Sequence, residues 1–445
     1  MNALTTPLLT DLYQLTMAEA YLYAGMEESA AFEFYVRDLP VNRGFLIASG
    51  LESVRRFLEN LHFSSQDVAY LAQTGRFSKK LLDYLSRLRF TGDLYALPEG
   101  TVCFANEPLI RLVAPIPLAQ LVETRLINLL HFETIISSKA ARCSLAADGR
   151  ATLVDFGLRR AHGAEAGLLA ARSSYMAGFS GSATVLAGAL YGIPLFGTMA
   201  HSYIEAFGGE QEAFVSYARA NRNNVTLLID TYDTLQGAGH AVKAARQLAQ
   251  EGIRTHAVRL DSGDIPTLSR QVRNLLDQND LREVGIFVSG NIDEYAIRKL
   301  LDEGAPVNGF GVGTKLDTSE DAPYLECAYK LVEYAGKPRM KTSQGKATWP
   351  GCKQIFRRSE NGVMSGDTVT VSGDRLEGRP LMEKVMDNGR WLSNSPDLKE
   401  IALRVKDQMA TLPEHLRRLE TVPAYAVAFS SALQKLRSET LRSQG

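Results

Sequence analysis

The chain has 445 residues, 45% of them apolar, which is long for one domain and ample for a large buried core. Its 49 basic and 50 acidic residues leave a net charge of −1. That balance excludes the broad field that gathers nucleic acid or an anionic membrane, so an anionic ligand must be held by a local cluster.

The opening stretch, MNALTTPLLTDLYQLTM, lacks the basic start and continuous apolar core of a signal peptide, and no run of about 18 apolar residues follows. A cytoplasmic protein is expected. An amphipathic helix is predicted from Leu8 to about Tyr23, then a strand-like FEFYVR and the β-rich LYALPEGTVCFANEPLIRLVA. These define an N-terminal α+β domain over 1–130. From 131 to 350 the rhythm becomes strand, polar tip, helix, which predicts an α/β barrel domain. The C-terminal extension, 351–445, reads as helical from residue 381 onward and is expected to pack back on the N-terminal domain. Four cysteines, Cys103, Cys143, Cys327 and Cys352, form no C-x-x-C pair and read as buried free thiols.

The informative residues close the apolar runs of the middle region. ATLVDFGLRR ends on Asp155, Phe156, Arg159 and Arg160; IPLFGTMAHS ends on Thr198 and His201; VTLLIDTYDT ends on Asp230, Thr231 and Asp233. THAVRLDSGD ends on Arg259, Asp261, Ser262 and Asp264; VGIFVSGNID on Ser289 and Asn291; VNGFGVGTKL on Gly311, Gly313 and Thr314. Successive buried strands that each end in polar residues or glycine predict an irregular, TIM-like barrel with its site on the C-terminal rim. A dinucleotide-binding sheet would gather such residues mainly at one crevice, and GFGVG has the wrong glycine spacing for that fingerprint.

This rim suits an anion. Arg159, Arg160, Arg259 and Lys315 supply cations, the backbone of GVGTK can bring N–H groups to phosphate, and Asp230, Asp233, Asp261 and Asp264 can hold magnesium. A magnesium-bound polyphosphate satisfies all three; a self-neutralising ring of arginines and aspartates is the alternative. His201, at a predicted strand-to-helix junction, fits a general base, a metal ligand, a nucleophile or a helix cap.

DFGLRRAHG, GTMAHSY, VRLDSGD and GVGTK, in this order and after an opening LLTDLYQLTM, resemble the nicotinate phosphoribosyltransferase family over most of residues 7–350. The resemblance implies an ATP-dependent enzyme of ligase type in NAD biosynthesis, which joins nicotinate to 5-phosphoribosyl 1-diphosphate and couples the transfer to ATP hydrolysis through a phosphohistidine at His201. It assigns nicotinate to Phe156, Thr198 and Arg259, with Tyr13 arriving from the partner of a homodimer. It assigns the phosphoribosyl diphosphate to Arg159, Asp261, Ser289, Gly290, Gly311, Gly313 and Thr314. Magnesium is expected at Asp230 and Asp264, with ATP as cosubstrate. In GFSGSATVLAG no acid stands where the related nicotinamide enzymes carry an aspartate; that position falls near Ala183, with Ser180 and Ser182 as neutral donors. Two alternatives stay open: a nicotinamide or other pyridine-base phosphoribosyltransferase, and a barrel that binds a phosphorylated ligand without turning it over.

Overall fold

The computed structural model describes residues 6–343, 345–393 and 396–444. The chain forms two units: one takes the residues up to Ser138 and again from Tyr324 onward, the other is Lys139–Pro323. The helix Glu123–Ala147 carries the chain from the first into the second. Among the described residues no helix is long and apolar enough to cross a membrane. All four cysteines are free, Cys103 and Cys143 fully buried and the other two partly so.

In the first unit the predicted opening helix spans Leu12–Tyr23. The strand Ser29–Val36 is buried on both faces at the middle of a seven-stranded sheet. It pairs antiparallel with Pro108–Pro115 on one side and with Cys327–Tyr334 on the other. The tail is not simply helical, as expected from sequence. Lys353–Glu360 and Val363–Val371 make a hairpin, and Glu383–Asp387 adds to the sheet beside Asp93–Ala96. Pro380, lacking an N–H, breaks any helix through this stretch, and Met386 is fully buried opposite Leu94. Among the described residues, α-helices follow at Leu398–Ala410 and Ser431–Gln444, with a short 3-10 turn at Glu414–Arg417 between them.

The second unit is an α/β half-barrel built on six short parallel strands: β1 (Thr152–Asp155), β2 (Gly181–Ser182), β3 (Val225–Leu228), β4 (Thr255–Leu260), β5 (Gly285–Val288) and β6 (Gly309–Val312). Their order in the sheet is β2-β1-β6-β5-β4-β3, a ring sequence opened between β2 and β3. Helices alternate with them: α1 (Ala164–Met176), α2 (Val185–Tyr191), α3 (His201–Glu205), α4 (Glu210–Ala220), α5 (Thr234–Gln250), α6 (Ile265–Asp277), α7 (Glu294–Asp302) and α8 (Thr314–Asp317). Asp233 caps α5 by accepting from Gln236 N at 2.8 Å, and Asp293 caps α7 by accepting from Ala296 N at 2.8 Å. The Asp233 carboxylate, a magnesium candidate from sequence, is thus engaged by a helix end.

Helix α5 lies close to the backbone leaving β3. A Cβ at Gly237 would fall 2.1 Å from the Ile229 carbonyl oxygen, whereas one at Gly239 would meet nothing within 4 Å. Gly237→Ala is therefore expected to destabilise the protein by about 1–3 kcal/mol through overpacking. Gly239→Ala on the same helix should stabilise it by up to about 1 kcal/mol through helix propensity. Urea unfolding of the two variants checks the opposite signs.

Candidate active site

Parallel strands put all their C-terminal ends on one rim, and there a cleft of about 380 Å³ opens, lined by Phe156, Arg159, Ala183, Thr198, His201, Arg259 and Asp261 among others. Arg259, on the last turn of β4, organises it. Its Nε donates to Ser289 Oγ at 2.8 Å, one terminal nitrogen to Thr198 Oγ at 3.0 Å and the Met199 carbonyl at 3.3 Å, and the other to Asp261 Oδ1 at 2.6 Å. The planar guanidinium, with 13% of its side chain exposed, ties the ends of β4 and β5 to the segment before α3. It also stands 5.6 Å from the centre of the Phe156 ring.

Burial alone would push the Asp261 carboxyl up. Hydrogen bonds from Ser289 and Arg259, then the charges of Arg259 and His201, outweigh it and hold Asp261 below the usual range. Gly290, with φ of +84°, follows Ser289 where a Cβ would strike the Asp261 carbonyl at 2.1 Å, so only glycine fits there.

His201 opens α3 and does not cap it, since the helix has no side-chain cap. Its Nδ1 lies 3.1 Å from Thr231 Oγ, which fixes the ring and leaves Nε2 without that constraint. Asp230, 8% exposed, accepts from Asp261 N and Ser262 Oγ through Oδ2, while its buried Oδ1 has no hydrogen-bond partner among the described residues. Asp264 is exposed at the start of α6 and makes no side-chain cap.

Phe156 follows β1 in a tight turn: Phe156 N donates to Val312 O, and Asp155 Oδ1 accepts from Gly157 N at 2.7 Å. Its ring lies over Gly311, where a Cβ would come within 2.5 Å of it, and a Cβ at Gly313 would meet the Phe156 carbonyl at 3.2 Å. Both glycines thus make room for the phenylalanine turn. Arg159 is exposed on a short 3-10 turn at the mouth of the cleft, and Thr314 is exposed at the first position of α8. Lys315, read from sequence as an available cation, is paired with Asp293 at 2.8 Å. Ser182 is also engaged, donating to Asp155 at 2.6 Å and accepting from Thr184 N at 2.9 Å, so it is not a free donor for a carboxylate ligand. Tyr13 lies in the other unit, 47% exposed on the opening helix. Thr231, which the sequence marks only as closing its apolar run and gives no site role, is the residue that meets His201.

An aromatic platform, a fixed guanidinium, a histidine beside hydroxyls and a glycine-bounded strand-to-helix turn define the class: an α/β protein with a rim cleft whose chemistry suits a planar anion and a phosphate. Comparison with known proteins narrows this. The family described as nicotinate phosphoribosyltransferase matches through its N-terminal domain at residues 8–131, its main domain at 151–351 and its C-terminal domain at 361–437. A nicotinate phosphoribosyltransferase of Mycobacterium tuberculosis is 47% identical over 96% of this chain and 92% of its own. That of Bacillus subtilis is 34% identical over 95% and 92%. The crystal structure of human nicotinic acid phosphoribosyltransferase superposes with a TM-score of 0.87 at 30% identity, covering 97% of this chain and 99% of that one. The chain belongs to the nicotinate phosphoribosyltransferase family.

The lowered Asp261 carboxyl makes a pH prediction. A group whose pKa is depressed by folding stabilises the protein above its unfolded value and loses that contribution as pH falls through the folded one. Asp261→Asn should therefore lower the thermal midpoint at neutral pH, and the difference from the unmodified protein should shrink below about pH 4. A pH series of melting curves measures it.

Proposed function

We propose that this protein joins nicotinate to 5-phosphoribosyl 1-diphosphate, giving nicotinate mononucleotide and diphosphate for NAD biosynthesis, and that it couples the transfer to ATP hydrolysis through His201. The observation that carries the reading is the Arg259 cation held by four hydrogen bonds beside the Phe156 ring, in the cleft that also holds His201. It is joined by 47% identity to a protein named for this activity.

A pyridine ring stacks on Phe156, and its carboxylate is drawn by Arg259. The ring nitrogen's lone pair forms the new bond to ribose C1 as the bond from C1 to the diphosphate oxygen breaks. No proton moves, so the protein's work is alignment and stabilisation of the leaving diphosphate. Arg159 at the cleft mouth, the Asp261, Ser289 and Gly290 corner and the Gly313–Thr314 start of α8 serve the phosphoribosyl end. In the coupled half-reaction a ring nitrogen of His201 attacks the γ-phosphorus of ATP, ADP leaves, and water later cleaves the phosphohistidine.

Magnesium fits as a cation that arrives with substrate phosphates and needs only one or two carboxylates. The unpartnered Asp230 Oδ1 is suited to it, with Asp264 as a second, exposed ligand. Bound there, the ion would supply charge neutralisation on the phosphates.

The sheet is read as an irregular barrel. Leu195 bridges to Ser182 in parallel, and Asn224, just before β3, donates to Gly197 O at 3.4 Å, so the segment 195–197 fills the gap between β2 and β3. The functional unit is read as a cytoplasmic homodimer. Leu9, Leu12 and Tyr13 on the first unit and Val185, Leu186, Leu190 and Leu195 on the second are exposed apolar residues that a head-to-tail pair would cover, bringing Tyr13 to the partner's cleft.

Release of diphosphate and formation of nicotinate mononucleotide from nicotinate, ATP and phosphoribosyl diphosphate test the reading. His201→Ala should abolish ATP hydrolysis and acid-labile protein phosphate, while slow ATP-independent transfer persists. Labelled γ-phosphate on the alanine variant would defeat the assignment.

Ala183 lines the cleft and brings no charge to it. With Arg259 drawing the carboxylate and no like-charge clash of about 1–4 kcal/mol to oppose it, nicotinate should be preferred to nicotinamide by about fivefold or more in kcat/KM. Ala183→Asp should depress nicotinate use selectively; equal use of nicotinamide by the unmodified protein would overturn the preference.

A further inference from the structure

Beneath the Phe156 turn lies a pair of acids that the transfer chemistry does not use. Asp155 is 0% exposed at the end of β1, and Asp317 is 1% exposed at the end of α8. Asp155 already accepts on both oxygens, Oδ1 from the Gly157 N–H and Oδ2 from the Ser182 hydroxyl at 2.6 Å, and each oxygen keeps a second lone pair. Both oxygens of Asp317 are buried, and among the described residues no N–H or hydroxyl reaches either of them. The Asp317 carboxyl sits against Gly157, where a Cβ would fall 2.1 Å from its Cγ. The glycine whose N–H binds one acid is thus covered by the other. An ionised carboxylate without a donor in such a place is too costly to persist, and two ionised carboxylates side by side costlier still.

We propose that Asp317 is a carboxylic acid that donates its proton to the Asp155 carboxylate, and that this shared-proton pair is a positioning device fixing the Phe156 turn to the helix that opens at Thr314. The pair spans the two halves of the site: β1 leads into the aromatic platform, and α8 begins at the phosphate-binding turn. Asp155 further holds Ser182 next to the cleft-lining Ala183, whose N–H donates to the Asp155 carbonyl at 2.9 Å. The titration behaviour agrees. Burial, then the Asp155 charge and the contact with Asp155, push the Asp317 carboxyl well up. Burial raises Asp155 too, against the opposing bonds from Ser182 and Gly157.

Elements packed on the pair carry other charges: Arg159 and Arg160 on the 3-10 turn, Glu165, Arg172 and Tyr175 on α1, and Lys315 on α8. Among the described residues, the charge acting on Asp317 is that of Asp155. Lys315 is bound to Asp293 instead.

The test rests on the proposed nicotinate activity but has an arm independent of it. Infrared spectra of the unmodified protein at neutral pH should contain a protonated-carboxyl C=O band that Asp317→Asn removes. A spectrum without that band overturns the proposal whatever the enzyme does, whereas the band with no mononucleotide formed leaves the pair standing and defeats the activity instead. In the kinetic arm, KM for nicotinate should rise about tenfold per pH unit above the pKa of the pair, with kcat less affected. Asp317→Asn, whose amide donates the same bond but cannot ionise, should keep the neutral-pH KM and lose the alkaline rise. Asp317→Leu, which removes the proton donated to Asp155, should raise KM at every pH without an alkaline step. An alkaline rise unchanged in Asp317→Asn, or equal KM values for the Asn and Leu variants at neutral pH, would overturn the proposal.

Discussion

Parallel pairing is the constraint from which the second unit follows. Strands that run the same way must return through helices, so all six end on one rim, and whatever polar residues follow them converge without long excursions of the chain. The strands can be short, four residues in β1, β3, β5 and β6 and two in β2, because the helix on each connection packs over them. The site is then assembled from segments far apart in sequence: Phe156 follows β1, Thr198 and His201 share the stretch that leads into α3, Arg259 lies near the end of β4 and Ser289 follows β5.

Charge on this rim is allocated rather than pooled. Lys315 is neutralised by Asp293, which also caps α7, and Asp233 is held by the start of α5. Arg259 is the cation fixed inside the cleft, and Asp261, although it partners Arg259, leaves the guanidinium's aromatic contact intact. Arg159 stays exposed at the mouth, able to meet a multiply charged ligand before it settles. With a net charge of −1, such local allocation is how the chain attracts an anion at all.

Much of this could be read from the sequence. The polar closures of the apolar runs identified the strand ends, and DFGLRRAHG, GTMAHSY, VRLDSGD and GVGTK carried the family that the comparisons establish. What escaped was relational. Nothing local marks EKVMD as a strand, because its partner Asp93–Ala96 lies nearly three hundred positions earlier. Ser182 looks like a free hydroxyl until its bond to Asp155 is seen, and Thr231 acquires meaning only when the end of β3 meets His201. Gly311 and Gly313 illustrate a subtler limit: a glycine-rich turn after a strand suggests phosphate, yet here each also yields space to Phe156. Pattern identifies which residues end an element, and packing decides what they touch.

The antiparallel pairing of Ser29–Val36 with Cys327–Tyr334 has a consequence for how the protein is made. During synthesis the amino-terminal sheet emerges with an open flank, because the strand that covers it is translated only after the whole of Lys139–Pro323. At roughly 5–20 residues per second that delay lasts on the order of tens of seconds, while the intervening unit, contiguous in sequence, can fold as it leaves the ribosome. Its compaction shortens the loop that must close, lowering the entropic cost of the late pairing. The nascent chain meanwhile carries an unpaired, apolar strand edge, the kind of surface that chaperones bind and that self-associates when they are scarce.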